Sequence, residues 1–84
     1  MKFYIKNKVK TLVEKYDKNI YKLCDIYNII ILYVDWKNEK GLFYIDENNN
    51  YFICIKNTLS EEEKENIIIH EFAHYILHKE EIRR

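Results

Sequence analysis

The chain has 84 residues, of which 48% are hydrophobic and 33% are charged, and it contains one glycine and no proline. Its aromatic and β-branched content excludes a disordered segment, and its longest apolar run, over residues 27–34, is far shorter than the roughly 20 residues of a membrane span. Fourteen basic and fourteen acidic side chains give no net charge, which argues against a dedicated nucleic-acid binder and against a polybasic membrane anchor, so we expect one soluble domain over residues 1–84.

Helical patterns occupy the first third of the chain. Apolar residues recur at helical spacing over residues 5–16, with lysines between them, and a second apolar series covers residues 20–27. The polar residues 17–19 interrupt the pattern, which leaves open two helices or one bent helix. Asn28 is the predicted end, because asparagine tolerates the left-handed backbone conformation.

Three strands are predicted in the middle of the chain. Residues 29–34 are β-branched and apolar, which indicates a buried strand that ends before Asp35. Residues 42–45 and 51–55 are two further strand-like runs, and the polar segment 46–50 between them predicts a hairpin with a five-residue turn. We expect the three strands to form a small antiparallel sheet.

A long helix is predicted after the sheet. Ser60 and Glu63 form the capping box that starts a helix, and helical patterning continues to about Glu80. The predicted fold class is therefore α+β, with an N-terminal helix or helices, a small three-stranded antiparallel sheet and a C-terminal helix.

The last helix carries a complete H-E-x-x-H motif, His70-Glu71-Phe72-Ala73-His74. One helical turn separates the two histidines, so both imidazoles can share one metal ion, while Glu71 flanks the same face and can act as a general base. Zn²⁺ is the predicted metal, because it brings the pKa of its water to about 7 and polarises a peptide carbonyl. The histidines would then face a groove bounded by the sheet and the first helix. The alternative is two solvated histidines beside a glutamate.

A catalytic zinc needs a third protein ligand, and the motif does not identify one. His78 lies too far along an intact helix to reach the ion, so we expect it to flank the site or to support its ligands. Glu80 stands where a metzincin has its last histidine, although Leu77 replaces the glycine at which that chain turns back. A non-helical ending after His78 would bring Glu80 or Glu81 closer. Also open are an acidic residue from a sheet loop, a ligand from a second protomer, a weak two-histidine site, or a domain that has lost its catalytic residues; the loop candidates are Asp35, Asp46 and Glu47.

Cys24 and Cys54 have neither a metal-binding spacing nor further cysteines to form a framework. Two free thiols that act as small core hydrophobes are the favoured interpretation, and a single disulfide is the alternative. The lysine-rich start lacks a continuous apolar stretch followed by a cleavage site, so we expect a cytoplasmic protein.

Residues from about 20 to 82 resemble the ImmA/IrrE family of metallopeptidase domains, which occur with mobile-element repressors and stress regulators. The resemblance is carried by the helix at 20–24, the strand at 29–34, the hairpin end at 53–57 and the run His-Glu-Phe-Ala-His-Tyr-Ile-Leu-His at 70–78. It implies a zincin-like fold in a domain that cleaves or binds a transcriptional repressor.

The resemblance also implies roles for single residues. His70 and His74 would be zinc ligands, and Glu71 would be the catalytic base. The family's third ligand, an acidic residue on a later helix, has no counterpart in the sequence, so the chain matches a C-terminally truncated member of the family.

Two functions follow from these observations. The first is a zinc-dependent metallopeptidase that acts on a regulatory protein such as a mobile-element repressor, with a sheet edge that binds substrate by strand addition. The second is a catalytically incomplete protein-binding module, for instance a phage or mobile-element antirepressor or an inhibitor of a host defence complex. A third function, nucleic-acid binding by the lysine-rich first helix, conflicts with the zero net charge. The sequence does not indicate the oligomeric state.

Overall fold

The computed structural model of the chain describes residues 3–15 and 19–82. Its elements in chain order are α1 (Phe3–Lys15), α2 (Ile20–Ile26), β1 (Ile29–Val34), β2 (Gly41–Ile45), β3 (Tyr51–Lys56) and α3 (Glu61–Ile82). The α+β class is confirmed, and the N-terminal region contains two separate helices. The predicted end of the first helix at residue 16 lies outside the described residues.

Side chains next to the helix ends explain where two of the helices begin. The Asn19 side chain accepts hydrogen bonds from the backbone N–H groups of Tyr21 and Lys22, at 3.1 and 3.2 Å, and caps α2. Ser60 Oγ accepts a hydrogen bond from the Glu63 N–H at 3.2 Å, as the predicted capping box requires. Asn28, with φ of 58°, has the left-handed conformation expected where α2 gives way to β1.

The sheet is mixed, with strand order β1-β3-β2, so the expectation of an antiparallel sheet is wrong for one of its two pairs. β2 and β3 form the predicted antiparallel hairpin, whereas β1 and β3 are parallel. The connection over residues 35–40 passes across the end of β3, where the Lys56 N–H donates to the Lys40 carbonyl and the Asn57 N–H to the Val34 carbonyl. Six residues can span two strand spacings, about 10 Å. This length lets β1 pair with the edge of β3 that β2 does not occupy.

β1 is an edge strand, and the expectation that it is buried is also wrong. Only Ile29 is buried, whereas Ile30 and Leu32 are 46% and 43% exposed. The strand register places Ile30 and Leu32 on one face of the sheet together with Leu42 and Tyr44, which are also exposed. The described helices therefore cover only the other, inner face of the sheet.

The core lies between the inner face of the sheet and helices α2 and α3, and α1 contributes the buried Val9 to it. Its largest fully buried side chains are Phe72, Leu23, Ile53, Ile55 and Ile68. Each such side chain contributes about 1.5–3 kcal/mol through removal of apolar area from water. Burial of one face of α3 orients its other faces toward solvent. No helix within the described ranges is long and apolar enough to cross a membrane.

Candidate metal centre

His70, Glu71 and His74 form the candidate metal centre on α3, with one potential ligand atom of each residue within 4.8 Å of the others. The two histidine Nε2 atoms lie 3.2 Å apart. Two nitrogen ligands at about 2.0–2.1 Å from a tetrahedral Zn²⁺ ion lie about 3.3 Å from each other. The imidazoles therefore fit one ion with little rearrangement. The same spacing also suits an N–H···N hydrogen bond, which a bound ion would replace.

Glu71 differs from the two histidines in burial. Its side chain is 7% exposed, whereas both histidines are exposed. Within the described part of the chain we find no hydrogen-bond donor to its carboxylate. The carboxylate oxygens of Glu71 still reach the surface, where a cation or a water molecule can bind beside them. This surrounding suits a general base next to a metal ion.

Gly41 determines how closely β2 approaches α3 at this point. A Cβ atom on Gly41 would overlap with Ile67 Cγ2, and it would lie 3.5 Å from Glu71 Cγ. The absence of a side chain therefore lets the start of β2 pack directly against the helix beside Glu71. Sequence reasoning missed this role, although Gly41 is the chain's only glycine and stands directly before a predicted strand.

An open groove of about 420 Å³ lies beside the candidate metal centre. Its lining residues come from β2 and α3, and they are Leu42, Phe43, Glu71, His74, Leu77, His78 and Glu81. The histidine face of α3 thus borders a groove, as expected, but β2 forms the second wall. None of the described lining residues belongs to α1, and the first helix as a further wall of the groove stays a prediction. The helix α1 does reach α3, through an ion pair of 2.7 Å between Lys8 Nζ and Glu80.

The structure separates the candidates for a third ligand. α3 is helical to Ile82, so the non-helical ending that would bring Glu80 closer is absent, and Glu80 pairs with Lys8. His78 lines the groove, with its ring centroid 6.2 Å from that of Phe43, but it does not belong to the metal centre. Glu81 lines the groove as well. Among the described residues, the acidic loop candidates do not join the centre either: Asp35, Asp46 and Glu47.

Asp46 has a structural role in the hairpin turn. Its carboxylate accepts hydrogen bonds from the Asn48 N–H at 2.9 Å and from the backbone and side-chain N–H groups of Asn50 at 2.8 and 3.0 Å. The bonds from Asn50, followed by the one from Asn48, lower the pKa of this exposed carboxyl. The predicted turn over residues 46–50 is therefore confirmed, and Asp46 is engaged in it.

Comparisons with known proteins agree with this geometry. A family model described as the IrrE N-terminal-like domain matches residues 24–84, which include the candidate metal centre. The chain is similar to the metallopeptidase ImmA of Bacillus subtilis (strain 168), with 36% identity over 77 residues. That alignment covers 89% of this chain and 44% of the relative, so the chain spans less than half of the relative's length. No solved structure gives a significant match.

Proposed function

The chain belongs to the IrrE N-terminal-like family, and from this premise we propose that it is a zinc-dependent metallopeptidase domain that acts on a regulatory protein such as a mobile-element repressor. One observation carries the proposal. The Nε2 atoms of His70 and His74 lie 3.2 Å apart, beside the nearly buried Glu71 and at the wall of an open groove. This arrangement combines a pair of metal ligands, a base and space for a peptide.

In the proposed hydrolysis of a peptide, the residues of the candidate metal centre have different roles. His70 and His74 would hold the ion through their Nε2 atoms. Bound zinc supplies an activated water near neutral pH and a positive charge beside the scissile carbonyl. Glu71 takes up the proton of the attacking water and passes it to the nitrogen of the leaving amine. β2 is an edge strand of the described sheet and borders the groove, so its free backbone groups can bind the substrate by strand addition.

A second candidate function is a catalytically incomplete protein-binding module, such as an antirepressor or an inhibitor of a host defence complex. With Glu71 as the base, the described residues of the candidate metal centre provide two ligands, whereas a catalytic zinc takes three from protein. The chain also spans 44% of the length of ImmA. Such a module would bind its partner without need of the base.

The test compares zinc content and peptide cleavage in four tag-free proteins: the natural chain and the variants Glu71→Gln, His74→Ala and His78→Asn. We expect about one zinc per chain in all but His74→Ala, because only that variant removes a ligand. The natural chain should cleave members of a mass-spectrometric peptide library. Glu71→Gln should lower the rate by a factor on the order of 10²–10⁴, because it retains the metal but removes the base.

The outcomes separate the two candidates. Zinc binding without cleavage of any peptide or repressor by the natural chain would contradict the peptidase proposal. Partner binding that Glu71→Gln leaves unchanged would then support the second candidate. Equal zinc content in His74→Ala and the natural chain would exclude the proposed ligand pair.

A further inference from the structure

The groove beside the candidate metal centre is lined by different kinds of side chain along its length. Glu71 and His74 stand at one end, and the side chains of Phe43, Leu77 and His78 follow. Glu81 lies beyond them on the last described turn of α3, with its side chain exposed. The groove therefore offers an apolar surface followed by a carboxylate.

The described lysines near this end of α3 bind groups outside the groove. No lysine or arginine of the described residues lines the groove. Lys79 Nζ donates a hydrogen bond of 2.8 Å to the hydroxyl of Tyr51, and Lys8 Nζ pairs with Glu80. The basic side chains in the lining are His74 and His78, and no described residue forms an ion pair with Glu81. The carboxylate of Glu81 therefore favours a positively charged group on whatever occupies the groove.

Helix geometry gives the distance between Glu81 and the reacting bond. Seven residues separate His74 from Glu81, which corresponds to about 10.5 Å along the helix axis. An extended peptide advances by about 3.3 Å per residue, so roughly three residues cover this distance. The flexible stem of a lysine or arginine extends the range to about two to four residues.

We propose that Glu81 is a specificity-determining residue of this groove. The preferred substrate is a peptide with apolar residues at the scissile bond and a lysine or arginine two to four residues away, on the side that lies over Leu77 and Glu81. The proposal rests on the proposed peptidase function and names the class of peptide that it takes.

The test uses ten-residue peptides with a central Leu-Phe pair and a single Lys, Gln or Glu two, three or four residues to either side. Cleavage by the zinc-loaded chain is measured as kcat/KM, and binding is measured by fluorescence polarisation with the Glu71→Gln variant. Glu81→Gln and Glu81→Lys are introduced into both backgrounds. Glu62→Lys is the matched control, because it makes the same charge change about 28 Å away along α3. Thermal unfolding verifies that each variant is folded.

We expect the natural chain to prefer Lys over Glu peptides by roughly two- to fivefold, which is the effect of one exposed ion pair. Glu81→Gln should bring the ratio close to one, Glu81→Lys should reverse it, and Glu62→Lys should leave it unchanged. Higher salt should weaken the preference. Equal use of Lys and Glu peptides, or an unchanged ratio in Glu81→Lys, would overturn the proposal.

The two readouts separate this proposal from the proposed function. If no peptide is cleaved, the peptidase proposal is contradicted. The ratio of the affinities for Lys and Glu peptides then tests the role of Glu81 without catalysis. A Lys preference in binding that Glu81→Lys reverses would support the specificity role even then. Peptide affinities that do not depend on the residue at position 81 would exclude the specificity role of Glu81.

Discussion

The two cysteines show how strongly the chemistry of a residue depends on its burial. Both thiols are free, which was the favoured interpretation of the sequence. Cys24 on α2 is fully buried, and this burial raises its pKa to about 12. Cys54 on β3 is half-buried, and burial raises its pKa as well. Because the thiolate is the reactive form, Cys24 should be inert in the folded chain.

A thiol-labelling experiment checks this difference. We expect a disulfide reagent to label Cys54 faster than Cys24 by more than about tenfold under native conditions, with both reacting rapidly in denaturant. A Cys54→Ser variant should lose the fast phase and retain the slow one. Equal labelling rates of Cys24 and Cys54 under native conditions would mean that opening of α2 exposes Cys24 as readily as the folded chain exposes Cys54.

Local spacing predicted part of the candidate metal centre, and tertiary packing determined the rest. The proximity of His70 and His74 follows from one turn of helix, whatever surrounds it. The different surroundings of Glu80 and Glu81 do not follow from spacing. They depend on which sides of α3 meet α1 and β2, and these contacts are distant in sequence.

At the level of elements, the correct predictions were those that local chemistry decides. The capping box at Ser60, the stop at Asn28 and the turn over residues 46–50 each depend on neighbouring residues, and all three are present. The pairing of β1 with β3 depends on residues more than 20 positions apart, and a pattern of apolar residues does not encode strand order. For the same reason the edge position of β1 was missed.

The contact between β2 and α3 gives a prediction at this level. Gly41→Ala places a methyl group against the Ile67 side chain, so Ile67 must change its rotamer or the strand and the helix must move apart. We expect the free energy of unfolding to fall by about 1–3 kcal/mol, the usual cost of an overpacked core. Because Glu71 Cγ lies beside the same point, cleavage should also fall in the zinc-loaded chain. Urea unfolding and the cleavage assay measure the two effects.

The neighbouring exposed residue Lys40 provides the control for Gly41→Ala. Lys40→Ala should change the free energy of unfolding by less than about 0.5 kcal/mol, as exposed substitutions usually do. If Gly41→Ala were as stable and as active as Lys40→Ala, the close approach of β2 would not be needed for the position of Glu71.

For the molecule as a whole, the placement of the described helices on one face of the sheet determines how open the candidate metal centre is. α3 contributes its apolar side to the core, and its histidine side lies at the margin, next to the edge strand β2. A metal ion can therefore bind without loss of all its water. The ion pair between Lys8 and Glu80 links the lysine-rich first helix to the last helix.

Zinc binding to this preformed pair of ligands should stabilise the whole fold. An ion that binds only the folded chain, at about 100 times its Kd, adds about 2.7 kcal/mol to the free energy of unfolding. For a domain of this size, that corresponds to a rise in Tm on the order of 10–20 °C. We expect this rise in the natural chain and in His78→Asn, reversal by a chelator, and little rise in His74→Ala. An equal rise in His74→Ala would mean that zinc stabilises the chain from another site.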